Sequence, residues 1–290
     1  MPIRLAMLGD IVGMPGVNSV CQLAPTLRKH FNVDLVIANA ENAHEGSGIT
    51  PALYRRLIDA GVDGITLGDH AYRRMQIKSV LESQQNIIRP ANLPSQAMGR
   101  LWMQLTVAVS DNLDSCRSRP QIANPSGCVY VITVLGRVFP TLPADDPFKA
   151  AQSVLAQLPD PNPIVLLEVH AEATSEKQAI AHYFDGKVAA VVGSHTHVPT
   201  ADARILPHGT AYITDLGMCG PHHSIIGRRI DRVLAQMTTA MPAPFDVAHG
   251  DPRLNGVIIE IDTETRRATS IERLELPADP DKPPFIAGPS

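Results

Sequence analysis

Six short apolar runs in this chain are each followed by residues that can ligate a metal or move a proton. Residues 3–8 lead into Gly9-Asp10, residues 35–38 into Asn39-Ala40-Glu41-Asn42, and residues 64–67 into Gly68-Asp69-His70. Residues 164–169 run out in Glu168-Val169-His170, residues 188–192 lead into Gly193-Ser194-His195-Thr196-His197, and residues 211–214 into Asp215-Leu216-Gly217. Taken singly, an Asp after a strand is an ordinary turn residue or helix cap, and a lone His is no more informative. His195 and His197 carry more, because residues i and i+2 of an extended segment point to one side. Brought together, Asp10, Glu41, Asn42, Asp69, His170, His195 and His197 would be costly to bury without charge compensation. Two divalent cations would supply it, and nitrogen and oxygen donors without sulfur suit Fe, Mn, Zn or Co. Two metals a few ångströms apart can generate hydroxide at neutral pH and hold both oxygens of an in-line displacement, the chemistry of phosphoester hydrolysis.

For those residues to meet, the six runs must be strands whose carboxyl ends share one edge, where α/β sheets bind ligands. Their near-continuous Val, Ile, Leu and Ala content suits strands buried on both faces. Helical patterns lie between them. Thr50-Pro51 is an N-cap with proline at the first helical position, and that pattern stops at Gly61. A second pattern follows Thr174-Ser175, carries Glu176, Lys177, Ile180 and Tyr183, and ends near Gly186. Residues 102–109 and 128–135 read as strands, and the polar, proline-punctuated stretch 110–127 between them, too long for a tight turn, reads as a surface insertion. Residues 256–262 and 268–276 read as a hairpin turning at Thr263-Glu264-Thr265. Together these predict one α/β domain over residues 1–276, a layered sandwich of mixed sheets. Residues 277–290 hold five prolines and few large apolar groups, and are expected to be disordered.

The composition narrows the partners. A formal charge of −4 and a pI near 6.2 give no basic footprint, so a long nucleic acid is not an expected partner, while a small nucleotide is allowed. One Trp, five Tyr and six Phe leave few rings for stacking bases. Four scattered cysteines, with no C-x-x-C pair, argue against a zinc cluster and against a disulfide framework. The apolar run ending at Leu8 is too short for a signal peptide, and no window approaches the roughly 18 apolar residues of a membrane span. The expectation is a soluble cytoplasmic protein whose oligomeric state is open.

The segments G-D-I-V-G-M-P-G, N-A-E-N, G-D-H, H-A-E-A-T-S-E-K, V-V-G-S-H-T-H-V-P-T-A-D and A-Y-I-T-D-L-G-M-C-G-P resemble the bacterial calcineurin-like phosphoesterases of the YmdB type. R-P-A-N at 89–92, L-G-R-V-F at 135–139 and D-D-P-F at 145–148 are similar too, so the resemblance spans about residues 3–276. It implies a four-layer α-β-β-α sandwich of two mixed sheets. It also implies a dinuclear metal site, with Fe favoured over Mn or Zn, that hydrolyses small phosphodiesters, typically 2′,3′-cyclic nucleotides. Carried over by position, Asp10, Asn42 and His197 would hold one metal and Glu41 would bridge to a second held by position 69, His170 and His195. His70 is similar to the family's substrate-side histidine, with the catalytic role of stabilising the transition state or protonating the leaving oxygen.

The family form at position 69 is asparagine, and this chain departs from it with Asp69. One extra negative charge about 5 Å from a phosphate disfavours it by roughly 3 kcal/mol at an effective dielectric near 20. The site would then prefer a trivalent iron partner or bind anionic substrates less tightly, unless Asp69 is protonated or turned outward. A phosphomonoesterase on the same residues, or a low-turnover regulatory protein that keeps the metals, are the rival functions.

Other signals carry less. The glycines from Gly9 to Gly16 resemble a phosphate loop, but no Gly-Lys-Ser/Thr follows, and they are expected to let the backbone approach the metals. His222-His223 reads as a solvated loop pair. Cys219 is expected in a strand-end loop, without thiol chemistry, and Arg73, Arg74, Arg89 and Arg137 as surface or structural charges within reach of a phosphate.

Overall fold

The structure is a computed structural model that describes residues 2–107, 127–139 and 142–279. In chain order it contains β1 (Ile3–Leu8), β2 (Asp10–Ile11), α1 (Gly13–Phe31), β3 (Leu35–Asn39), α2 (Pro51–Asp59) and β4 (Gly64–Thr66). A 3₁₀ turn at Met75–Ile77 leads into α3 (Lys78–Ser83), followed by β5 (Ile87–Ile88), β6 (Trp102–Thr106), β7 (Cys128–Leu135), α4 (Pro147–Leu155) and β8 (Ile164–His170). Then come α5 (Thr174–Phe184), β9 (Ala190–Ser194), β10 (Arg204–Ile205), β11 (Ala211–Ile213), β12 (Met218–His223), α6 (Ile230–Thr239), β13 (Gly250–Ile261) and β14 (Ala268–Pro277).

The strands form two mixed sheets. One runs β2-β12-β13-β1-β3-β4-β5 with β14 added to β13; the other runs β10-β11-β9-β8-β7-β6. Within them β1, β3, β4 and β5 are parallel neighbours, as are β7, β8, β9 and β11. Alternation along each strand divides the side chains between two faces. Leu5, Met7, Leu35 and Ile37 join Val129, Val131, Ile164, Leu166, Ala190, Val192 and Ile213 in a core between the sheets. The other face of the first sheet packs Ala6, Leu8, Val36 and Ala38 against α1 and α2. The other face of the second packs Val165, Leu167 and Val169 against residues of α4 and α5.

Local chemistry sets the helix starts. Thr50 Oγ1 accepts from Leu53 N at 3.4 Å with Pro51 behind it, as the sequence predicts. Asp146 Oδ1 caps α4 through Phe148 N and Lys149 N, again with proline at the first helical position. Helix α1 is unforeseen, because Gly13-Met14-Pro15-Gly16 reads as a loop. Its first amide, Gly13 N, instead donates to Asn42 O at 2.9 Å, tying the helix to the loop after β3.

Several boundaries shift. β9 ends at Ser194, two residues later than expected, and β14 extends to Pro277. Ala278 N and Asp279 N go on to donate to Pro252 O and Gln22 Oε1, so the chain stays docked to Asp279. The remainder of the expected tail, and the insertion at 110–127 except Gly127, lie outside the described residues. His222 and His223 close strand β12 rather than forming a solvated loop: the His222 ring contacts Gly220 O and Asn255 Nδ2 at 3.0 and 2.8 Å. Cys219 likewise lies within β12, buried, with its thiol pushed up to about 12 by burial. Among the described residues, no helix is long and apolar enough to cross a membrane.

Candidate metal centre

At the carboxyl ends of the parallel strands, the face that lines the inter-sheet core turns polar. Along β8, Ile164 and Leu166 belong to that core, and the next two positions on the same face are Glu168 and His170. The same step leads from Ile37 to Asn39, from Val131 to Thr133, from Val192 to Ser194 and from Ile213 to Asp215. Asp10 of β2 and the loops that follow β3, β4 and β9 bring in the remaining groups from both sheets.

Glu41, Asp69, His170 and His195 converge so that one ligand atom of each lies within 4.8 Å of the others. His170 Nε2 is 3.0 Å from Asp69 Oδ1 and 3.2 Å from Glu41 Oε1, and His195 Nδ1 is 3.1 Å from His170 Nε2. A second group adjoins it. His197 Nε2 is 3.2 Å from Asn42 Nδ2 and 3.9 Å from Asp10 Oδ1, while Asn42 Nδ2 donates to Glu41 Oε1 at 3.3 Å. Glu41 thus stands between the two groups. His70 lies over both, with Nδ1 2.7 Å from Asn42 Oδ1, its amide donating to Glu41 Oε2 at 2.9 Å, and its ring partly exposed. All eight sequence-predicted residues are therefore neighbours.

His195 and His197 do not share a side as residues of an extended segment. The strand ends at Ser194, and both histidines adopt positive φ, 98° and 66°, which sends one ring to His170 and the other to Asp10. Asp215 holds the turn: its Oδ2 accepts from Thr196 N and Oγ1 at 3.2 and 2.8 Å, and its Oδ1 from Gly217 N at 2.8 Å. Lys177 of α5 reaches the same carboxylate at 2.6 Å.

Glu168 anchors the other side. It accepts from Asn39 Nδ2, Ser194 Oγ and Thr133 Oγ1 at 2.8, 2.6 and 3.0 Å. Because Ser194 gives its proton to Glu168, its oxygen accepts from His170 Nδ1 at 3.0 Å, which turns His170 Nε2 toward the cluster. Asn39 Oδ1 accepts from Glu41 N at 3.1 Å. Glu168, Ser194, Asn39 and Asp215 stand at strand ends, and Lys177 on a helix, where the sequence gives them no role in the site; the structure makes them its supports.

The electrostatics suit a cation. Burial raises the Asp10 carboxyl against the pull of His197 and His170. Burial would raise Asp69 as well, but hydrogen bonds from His170 and His195 outweigh it and hold that carboxyl well below the ordinary range. Asp69 thus faces His170 and His195, with Oδ1 3.0 Å from His170 Nε2. Burial disfavours a charged His170, yet Glu41 and Asp69 overcome it and raise its pKa well above the ordinary value. Asp10 Oδ1 is buried with no hydrogen-bond partner among the described residues. An orphaned carboxylate oxygen, three imidazoles and two further carboxylates fit a hard-to-borderline cation. Asn42 fits on one condition: its amide must turn so that Oδ1, now on His70, faces Glu41 and His197.

Glycine makes the approach possible at Gly68, where a Cβ would overlap His170 Nε2 and Glu41 Oε2. Gly9 serves otherwise than expected: a Cβ there would overlap the Gly217 carbonyl oxygen, so its place is a crossing of two backbones, not an approach to metal. Arg89 is buried and donates to the carbonyls of Pro90 and Ala97 at 2.8 and 3.2 Å, a loop staple rather than a phosphate ligand. Arg74 pairs with Glu45 at 3.0 Å. Beside the cluster opens a cleft of about 190 Å³, lined by the polar Asp69, His170, His195 and Glu172 and by the apolar Leu135, Val138, Phe139 and Leu142.

Comparison with known proteins adds three likenesses and one family match. A family model described as YmdB-like protein matches residues 6–274. The 2′,3′-cyclic-nucleotide 2′-phosphodiesterase of Bacillus subtilis (strain 168) is 39% identical over 277 residues, which cover 96% of this chain and 98% of that one. The crystal structure of a hypothetical protein from Thermus thermophilus superposes with a TM-score of 0.83 at 38% identity, covering 96% of this chain and all of that one. A Mycoplasma pneumoniae structure described as a novel phosphatase superposes with a TM-score of 0.84 at 31% identity, covering 96% and 94%.

Proposed function

The chain belongs to the family of YmdB-like proteins, and from that premise we propose that it is a metal-dependent phosphodiesterase of small phosphodiesters, 2′,3′-cyclic nucleotides first among them. The observation that carries this is the convergence of Glu41, Asp69, His170 and His195 beside an open cleft. The Bacillus relative, 39% identical across nearly the whole chain, acts on that class of substrate by its name. Three hydrophobic cores in succession, helix to sheet, sheet to sheet and sheet to helix, support a four-layer calcineurin-like sandwich.

Two cations are proposed. Asp10, Asn42 and His197 would hold one, Asp69, His170 and His195 the other, and Glu41 would bridge them. Iron suits this donor set, with manganese or zinc as the alternatives. When bound, the cations supply charge neutralisation and a water acidic enough to attack at neutral pH. The chain's own groups do the rest. Ser194 and Glu168 fix which nitrogen of His170 faces the metal side. His70 reaches the solvent side of Asn42 and Glu41, where it can hold or deliver a proton to the leaving ribose oxygen. Cytoplasmic residence accords with free, buried thiols at Cys21, Cys128 and Cys219. The test is hydrolysis of 2′,3′-cyclic AMP beside a phosphate monoester: the diester should be cleaved preferentially, and chelation should abolish the reaction.

A further inference from the structure

Phe139 is anomalous on two independent counts. Its side chain is 81% exposed, the most exposed large apolar side chain among the described residues. Its φ is +74°, a region that bulky side chains rarely adopt. Exposing a ring to water gains nothing from the hydrophobic effect, and a strained backbone persists only where its surroundings hold it. The preceding residues are held: Arg137 N and Val138 N donate to the Glu176 carboxylate at 2.8 and 3.2 Å. The ring they deliver lines the same cleft as Asp69, His170 and His195.

The lining of that cleft is of two kinds. Asp69, His170 and His195 belong to the carboxylate–imidazole cluster that suits a phosphate and its cations, while Leu135, Val138, Leu142 and the Phe139 ring are apolar. A ligand that uses both kinds of group carries a phosphate and a flat, weakly polar group. We infer that Phe139 is the platform on which the nucleobase of the substrate stacks while its phosphate meets the cluster. The phosphate end of this inference rests on the phosphodiesterase reading; the stacking end stands on the exposure, strain and position of Phe139. Every base has a π-face, so such a platform accepts all bases.

The test compares 2′,3′-cyclic AMP with ribose 2′,3′-cyclic phosphate, which lacks the base. Phe139→Ala should lower kcat/KM for the nucleotide about tenfold, which is about 1.4 kcal/mol, mostly through KM, and leave the base-free ester within about twofold. Phe139→Trp should retain the nucleotide rate, since a larger ring still stacks. Equal losses on both substrates, or no loss on either, would overturn the inference. A second readout needs no turnover. The fluorescence that Phe139→Trp adds to that of Trp102 should be quenched saturably by adenosine monophosphate and not by ribose phosphate. Should the wild type hydrolyse neither ester, the phosphodiesterase reading fails, and the quenching alone decides the platform: saturable quenching upholds it, and none overturns it.

Discussion

Lys177 and Asp215 form an ion pair at 2.6 Å whose side chains are both shut off from water. Asp215 spends its remaining lone pairs on Thr196 and Gly217, so a charge from α5 is relayed to the turn that carries His195 and His197. Breaking a buried pair by removing one partner leaves an uncompensated charge. Lys177→Met is expected to lower stability by about 3–5 kcal/mol and to loosen the turn. Denaturant titration measures the first effect. Metal content at saturating metal measures the second, since a loosened turn should bind less.

Gly68→Ala isolates the approach of His170 and Glu41. The added methyl would sit on the ligand atoms, not within a hydrophobic core. The variant is expected to remain folded by circular dichroism while retaining well under half of the wild-type metal. A fully metallated Gly68→Ala protein would show that the cluster binds elsewhere.

His70→Ala should separate chemistry from metal binding. The ring touches Asn42 and Glu41 yet is not needed to complete either group. Turnover is expected to fall about 10²–10⁴-fold, the span of a positioned acid or base, with metal content unchanged. Loss of metal would make His70 a ligand instead.

Asp69→Asn tests the charge that distinguishes this chain. The Asp69 carboxyl meets His170 and its pKa is held low by His170 and His195, so the substitution takes negative charge away from the cluster. With about 3 kcal/mol as the ceiling at 5 Å and an effective dielectric near 20, KM for an anionic diester is expected to fall by about tenfold. An unchanged KM would mean that the cations already offset the charge, and a rise in ferric content of the wild type over the variant would identify how.

Away from the cluster, Asp202 gives stability a pH dependence. Burial would raise its carboxyl, but Thr214 and Thr200 hydroxyls and the Thr214 amide outweigh that and lower its pKa. A depressed carboxyl contributes stability that is present above the unfolded value, about 3.9, and lost as pH falls through the folded value. Asp202→Asn should therefore be less stable than wild type by about 1–2 kcal/mol at neutral pH. The gap should begin to narrow as pH falls below about 4. Unfolding midpoints measured at pH 7 and pH 3 check the direction: the difference should be smaller at pH 3.

Much of this centre was legible in the sequence because its residues follow apolar runs that could only be buried strands. Asp10, Glu41, Asn42, Asp69, His70 and His170 all sit where that rule puts them. The H-x-H pair does not meet the cluster by strand alternation, since both histidines have positive φ in a turn where Asp215 accepts from Thr196, a tertiary arrangement that alternation cannot reveal. Glu168 is visible as a strand-end residue, and its role is readable too: it shares the face of Ile164, Leu166 and His170, and a carboxylate continuing an apolar face marks a polar network. Helix α1 was hidden by two glycines and a proline at its start, and β12 by Gly220-Pro221 in its middle. Phe139 was hidden most thoroughly, because nothing in L-G-R-V-F tells an exposed ring from a buried one.

The most direct test of the central claim measures metal content and 2′,3′-cyclic AMP hydrolysis on one sample, purified without added metal, beside His195→Ala. Roughly two metal equivalents per chain and turnover that falls with metal in the variant and on chelation are predicted. Full turnover by metal-free protein, or a fully metallated wild type that cleaves no phosphodiester, would contradict the account.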